Sequence, residues 1–276
     1  MTMMTKESRK WLGFSVCFIA LTLVIGVGTV GASPQVQAQY APSQGSGNGE
    51  VTFYVTRHGR TMFNTVHRAQ GWADTPLTEP GVEVAEQLGK GLRDVWFVAA
   101  WSSDSGRARE TARLILANNG QQSLPLNESK NFRESGFGIY EGAYDEEMWG
   151  DAGKTLDYET YEATMQAVIS GEIGITEILG AVKGLDTTGL AEDYDMVRIR
   201  MRKQLDEIAT ATAARGGGNV LVVAHGISIL ALISDMTDKR PAGGQLENAS
   251  VTKIIYKDGG YEVTEIGNMD YVNKGK

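Results

Sequence analysis

The feature that most constrains this chain is a short unbroken apolar run, Asn219-Val-Leu-Val-Val-Ala224, followed at once by His225-Gly226. Such a run suits a strand covered on both faces, as in a parallel sheet flanked by helices. A second run, Val51-Thr-Phe-Tyr-Val-Thr56, is β-branched and aromatic, which also marks a strand, and it leads into Arg57-His58-Gly59. The chain has three histidines, and two of them stand directly after these strands, each before a glycine. In open α/β sheets the carboxyl ends of the strands form the ligand crevice.

The rest of the pattern alternates. Val84, Leu88 and Leu92 recur at helical spacing and predict a helix over 80–93. Residues 95–101 read as a further buried strand. Ala108, Ala112 and Ile115 share one face of a helix over 105–118. A long helix over 191–214 runs into Gly216-Gly-Gly218, which stops it. Residues 227–236 read as helical, and 250–256 and 261–266 as two strands around Asp258-Gly259-Gly260. Strands alternating with helices predict an α/β fold, a three-layer sandwich with a mostly parallel central sheet and helices on both faces. Between Ala143 and Leu190 the alternation is lost. That stretch is acidic and carries Tyr144, Trp149, Tyr158 and Tyr161, and it reads as a helical insertion, about 143–190, capping one end of the sheet. The aromatics are expected to pack it onto the sheet.

The first fifty residues have another character. Residues 1–10 are polar and basic, 11–32 almost wholly apolar, and no charge returns until Glu50. This is the layout of a secretory signal, with small-residue cleavage patterns at Val30-Gly31-Ala32 and Val36-Gln37-Ala38. The apolar stretch nearly reaches the roughly 20 residues that span a bilayer, so residues 1–38 stand as either a signal peptide or an N-terminal membrane anchor. In both cases Lys6, Arg9 and Lys10 keep the N-terminus inside. The expectation is a secreted or outer-face bacterial protein. Residues 39–49 read as a flexible linker, 50–270 as the catalytic domain and 271–276 as a polar tail.

Removing residues 1–38 leaves the remainder near a net charge of about −10, against −8 for the whole. That balance argues against nucleic acid as a partner and limits membrane contact to an uncleaved N-terminus. A local arginine cluster can still govern a small pocket. The single cysteine, Cys17, lies in the apolar run, so the processed chain would hold no disulfide. Oligomeric state is left open.

A histidine at a strand end can be a phosphoryl acceptor, since neutral imidazole attacks phosphorus and the phosphoramidate hydrolyses again. The following glycine lets backbone approach the phosphate and leaves its N–H to donate. Phosphoryl transfer then requires fixed cations with planar donor geometry. Arg57 adjoins His58; Arg107 follows the strand at 95–101 near a helix start; His225, if protonated, adds positive charge.

These blocks together resemble the histidine phosphatase superfamily, which includes the cofactor-dependent phosphoglycerate mutases. The resemblance covers nearly all of residues 51–266. It runs from Arg57-His58-Gly59 through Asn64 and Gln70-Gly-Trp-Ala-Asp74-Thr-Pro-Leu-Thr78 to Gly81. It resumes at Arg107-Ala108 with Thr111-Ala112, then at Arg133-Glu134, Phe137-Gly138 and Glu141-Gly142, and ends at His225-Gly226. The resemblance implies that His58 becomes phosphorylated and that Arg57, Arg107 and His225 hold the phosphoryl oxygens. Thr61, Asn64, Gln70 and Gly226 would line the same pocket. Glu134 matches the general acid, a role that needs a raised pKa, which the insertion would supply by burying it; Glu141, Glu146 and Glu147 are rival carboxylates. No metal and no cofactor is implied, and the partner is a small phosphorylated substrate. Arg60 stands where the family often has Glu or Gln, which puts an added positive charge at the pocket mouth. His67 is expected to be an exposed bystander, and Asn64 and Gln70 have the competing role of shaping the turn.

Three functions fit this reading. An exported phosphomonoesterase working through phospho-His58 comes first. A phosphoglycerate mutase-like transferase is second, and the acidic insertion disfavours it. A catalytically inactive surface domain that binds phosphorylated ligands or a partner protein is third, and the complete set of His58, Arg57, Arg107, Glu134 and His225 speaks against it.

Overall fold

The computed structural model describes residues 49–241 and 244–276. Both the N-terminal address and most of the linker lie outside them. The two apolar runs form the middle of a six-stranded sheet ordered β3-β2-β4-β1-β5-β6. Here β1 is Val51–Arg57, β2 Phe97–Ser103, β3 Leu126–Ser129, β4 Gly218–Ala224, β5 Val251–Lys257 and β6 Gly260–Asn268. Strands β3, β2, β4 and β1 are parallel, and β5 and β6 add an antiparallel hairpin at one edge. The hairpin closes through Asp258 and Gly259, both at positive φ (51° and 84°), as a two-residue turn matched to strand twist requires.

The central strands are apolar on both sides because both sides are covered. Val51, Phe53, Val55, Val220 and Val222 share a core with helices α7 (Tyr194–Ala213) and α8 (Gly226–Ile233). Tyr54, Leu221 and Val223 share the opposite core with α2 (Glu79–Gly91) and α3 (Gly106–Asn119). The three-layer expectation is met. Thr78 caps α2 by accepting from the Gly81 N–H, and Asp193 caps α7 by accepting from the Met196 N–H. The first cap starts its helix one residue earlier than expected, and the second starts its helix three residues later.

The segment 143–190 forms three helices, α4 (Asp145–Lys154), α5 (Tyr161–Ser170) and α6 (Ile175–Leu185). Met148, Leu179 and Val182 build its core together with Ala69, Phe137 and Ile227. Those last three residues neighbour Gln70, Gly138 and Gly226, so the insertion is seated against the crevice. Trp149 packs on Phe137 with ring centroids 5.9 Å apart. Tyr144 departs from the expectation: it is 54 % exposed, beneath the Arg68 guanidinium.

Among the elements not expected, two stand at the edges of the fold. Strand β3 is four residues long and half exposed, Leu-Asn-Glu-Ser, with no apolar alternation to reveal it. The expected polar tail at 271–276 is instead largely part of α9 (Asp270–Lys274), which docks on α2. Val272 is buried in the α2–α3 core, Tyr271 meets Tyr54 edge-on at 6.0 Å, and a Cβ on Gly91 would collide with the Tyr271 carbonyl. A solvated tail would not register Val272→Ala; a docked helix should lose about 2 kcal/mol of stability to it, measurable as a lowered urea midpoint.

Candidate active site

The register between β1 and β4 sets Arg57 opposite Ala224, so His58 and His225 leave the sheet side by side. The His58 N–H donates to the Ala224 carbonyl (3.0 Å), and the two imidazole centroids are 5.2 Å apart. Both rings are buried, at 3 % and 0 % exposure. His58 Nδ1 lies 2.8 Å from the Gly59 carbonyl oxygen. A carbonyl only accepts, so Nδ1 carries the proton and the Nε2 lone pair is left for chemistry. Burial, then the charges of Arg107 and Arg57, hold the His58 pKa well below its ordinary 6.5. The imidazole is therefore neutral, the form in which it is a nucleophile.

His225 is neutral for the same reasons, burial first and Arg107 next. This corrects the expectation that it adds positive charge. Its Nδ1 accepts from Arg107 Nε (3.2 Å), which assigns its proton to Nε2, the nitrogen 3.5 Å from Ser105 Oγ. His225 is thus a neutral N–H donor.

Arg107 is 1 % exposed, and its side chain has a role the sequence did not indicate. Nη1 donates to the Ala73 carbonyl (2.8 Å) and Asp74 Oδ1 (3.0 Å). Nη2 donates to the carbonyls of Gln70 (3.3 Å) and Gly71 (2.7 Å). With Nε on His225, all five N–H groups of the guanidinium have protein acceptors. The expected clamp on phosphoryl oxygens is here a clamp on the 70–74 loop and on the tautomer of His225. Arg57 is different. Nη1 donates to the Leu246 carbonyl, Nε is buried without a partner, and the guanidinium rests against Gly226 at the start of α8.

Glu134 is buried (6 % exposed). Its carboxylate sits on the N-terminus of α8, accepting from the N–H groups of Ile227 (3.0 Å) and Ser228 (2.7 Å) and from Ser135 N–H (3.0 Å). Burial raises its pKa above the ordinary 4.5, and these bonds and Arg107 offset part of that. Its carbonyl is braced by Trp72 Nε1 (3.1 Å) and Arg200 Nη2 (2.8 Å). Glu141, the nearest rival, is engaged by the backbone N–H groups of Gly71, Trp72, Ala73 and Phe137. Glu146 and Glu147 sit in the first turn of α4.

The remaining expected residues divide. Thr61 caps the short helix α1 (Met62–Thr65) in a reciprocal bond with Asn64, and donates from Oγ1 to Gln70 Oε1 (2.6 Å). Gln70 in turn donates to Thr75 (2.8 Å). All three shape the turn below the histidines. Gly59 does not keep its N–H for a ligand: it donates to Thr111 Oγ1 (2.9 Å), and a Cβ there would strike the Gly81 carbonyl. Arg60 is exposed and lines a cavity of about 390 Å³ together with Arg57, Pro80, Val84 and Asn248. It stands apart from the 210 Å³ cleft that contains Glu134 and His225. His67 is exposed, as expected.

Three contributors escaped the sequence. Asn248 donates from Nδ2 to the His58 carbonyl (2.9 Å), on a turn where Ala249 takes φ 61°. Its only signal is an Asn just before a strand, a common turn residue. Arg200 and Glu192 form a buried ion pair (2.6 Å) that ties α7 to the carbonyls of Asn131, Arg133 and Glu134; no spacing announces it.

Known proteins share this architecture. Residues 53–173 and 176–269 match the family model for the histidine phosphatase superfamily (branch 1). The probable phosphoglycerate mutase GpmB of Yersinia pestis (strain Pestoides F) is 26 % identical over 211 residues, 74 % of this chain and 85 % of that one. The crystal structure of phosphoglycerate mutase from Bacillus anthracis str. Sterne matches with a TM-score of 0.77 at 46 % identity, covering 83 % of this chain and 97 % of that one. Bacillus stearothermophilus YhfR matches at 0.63 and 28 % identity, over 80 % and 99 % respectively.

The depressed histidine pKa values carry a consequence for stability. The unfolded chain binds protons at His58 and His225 that the folded chain refuses, so stability is full above the ordinary pKa of 6.5 and is lost as pH falls below it. Glu134, raised in the fold, acts in the opposite sense, losing stability as pH rises through the range above 4.5. The urea midpoint should fall between pH 7 and pH 5, and it should fall less steeply in His225→Asn. A slope indifferent to that substitution would contradict the assignment.

Proposed function

The chain belongs to the histidine phosphatase superfamily, and on that premise we propose that it hydrolyses phosphomonoesters through a phosphohistidine on His58. What carries this reading is the pairing of a neutral, Nδ1-tied His58 with a buried carboxyl whose pKa is raised, since an enzyme of this kind needs one group as nucleophile and the other as acid. His58 Nε2 attacks phosphorus while the bond from phosphorus to the ester oxygen breaks, and Glu134 protonates the departing oxygen. Glu134 then takes a proton from water as that water attacks phosphorus, the P–N bond breaks, and inorganic phosphate leaves with His58 neutral again. Arg57, His225 Nε2–H and the α8 N-terminus supply charge and donors to the phosphoryl oxygens. Arg107 contributes through His225. On this reading residues 1–38, as a signal peptide or membrane anchor, direct export of the domain.

A mutase, which returns the phosphoryl group to its product, is favoured by the 46 % identity to a chain described as a phosphoglycerate mutase. Product analysis separates the two: a phosphatase releases inorganic phosphate from 3-phosphoglycerate, whereas a mutase converts it to the 2-isomer.

Turnover of p-nitrophenyl phosphate in EDTA should vanish in His58→Ala, together with an acid-labile, alkali-stable phosphoprotein seen on rapid quenching. Glu134→Gln should slow hydrolysis of an alkyl phosphate by about 10²–10⁴-fold. With p-nitrophenyl phosphate the first burst of p-nitrophenol should be slowed much less, because that leaving group departs without a proton, while hydrolysis of the phosphohistidine, which needs Glu134 as base, is slowed as with any ester. A phosphoprotein that persists in His58→Ala would sink the mechanism.

A further inference from the structure

The phosphoryl end of the site is set by the histidines and Arg57, but the cleft beside Glu134 decides what the phosphoryl group is attached to. That cleft holds about 210 Å³, below the roughly 300–1,000 Å³ of pockets for drug-sized ligands. It admits a phosphoryl group and a small leaving group. Its charged lining is three carboxylates, Asp74, Asp104 and Glu134, against two guanidinium groups, Arg109 and Arg133.

Both guanidinium groups already have a carboxylate partner. Arg133 is held in a two-point bond by Asp104, Nε to Oδ1 at 2.7 Å and Nη2 to Oδ2 at 2.6 Å. Arg109 pairs with Glu128 at 3.5 Å, a looser and more exposed contact. Asp74 is itself on Arg107 and on the Gly106 N–H. A carboxylate on the leaving group would meet guanidinium groups whose charge Asp104 and Glu128 already offset, and would lie close to Asp74 and Asp104 themselves.

The same cleft offers an aromatic surface. Trp72 lines it and is 43 % exposed, with the Arg133 guanidinium 5.4 Å from its ring centroid. Its indole N–H is fixed to the Glu134 carbonyl, so the ring stands beside the acid that serves the ester oxygen.

We infer that the leaving group is uncharged and planar: the site takes small aryl phosphomonoesters, the ring laid against Trp72, in preference to esters carrying a carboxylate. This rests on the phosphomonoesterase reading above. Phosphonates, which do not hydrolyse, measure the preference without the different reactivities of the esters. By calorimetry on the full chain, phenylphosphonate should bind about tenfold or more tighter than 3-phosphonopropionate, since an aromatic contact adds to the avoided repulsion. Trp72→Leu should weaken phenylphosphonate by about 2- to 13-fold and 3-phosphonopropionate less. Asp104→Asn, which releases Arg133, should tighten 3-phosphonopropionate by about tenfold. Equal or tighter binding of 3-phosphonopropionate by the unmodified chain, or equal weakening of both by Trp72→Leu, overturns the inference. If phospho-His58 still forms in those preparations, the phosphatase reading survives that failure. No binding of either phosphonate together with no phosphoprotein overturns both.

Discussion

Arg107 is a buried cation whose five N–H groups are met by five acceptors, and the rest of the site is arranged around that saturation. Burying a guanidinium costs several kcal/mol unless every donor is satisfied. Satisfying it requires the carbonyls of Gln70, Gly71 and Ala73 to converge, and this forces the 70–74 loop to wrap the head of α3. The wrap then places Trp72 against Glu134 and presents Asp74 to the α3 N-terminus. One interaction thereby couples the strand-end histidines, the general-acid loop and the cleft wall. Its cost in polar burial is consistent with a residue retained for geometry more than for net stability.

The same cation divides the titrating groups. Two imidazoles in a buried, positively charged crevice cannot hold protons, and a carboxyl in the same crevice resists losing its own through burial while Arg107 pulls the other way. The imidazoles and the carboxyl are thus shifted in opposite directions within one small volume, from environment alone. The α8 N-terminus works at both ends of this division, donating to Glu134 through Ile227 and Ser228 and carrying Gly226 beneath Arg57.

The sheet was legible because its chemistry is one-dimensional. Strands β1 and β4 are apolar on both faces, and a histidine at each C-terminal end names the crevice. Strand β3 is a half-exposed edge of four residues, which no periodicity marks, and α9 hides its buried Val272 among polar neighbours. Within the site, the residue types were readable but some roles were not. Arg107 could be picked out as a cation near the nucleophile, yet what occupies it is mostly backbone carbonyl, and carbonyls have no sequence signature. Asn248, Arg200 and Glu192 act across more than fifty intervening residues, where a single sequence offers no spacing to test.

Charge is arranged differently at the two ends of the path proposed for a substrate. At the inner end Arg57 keeps a buried N–H without an acceptor, and the charge of Arg107 is offset by Asp74, Glu134 and Glu141. A phosphoryl dianion supplies what that end lacks, and its arrival reverses the electrostatic term that depresses His225, strengthening the hold of Nε2–H at the moment charge must be stabilised. At the outer end Asp104 offsets Arg133 beside the Trp72 ring. On the reading proposed above, a molecule with a phosphate at one end and no charge at the other has one favoured orientation. The family motif bears on the inner end, whereas under the inference drawn above it is Trp72, Arg133 and Asp104 at the outer end that select what the phosphate is attached to.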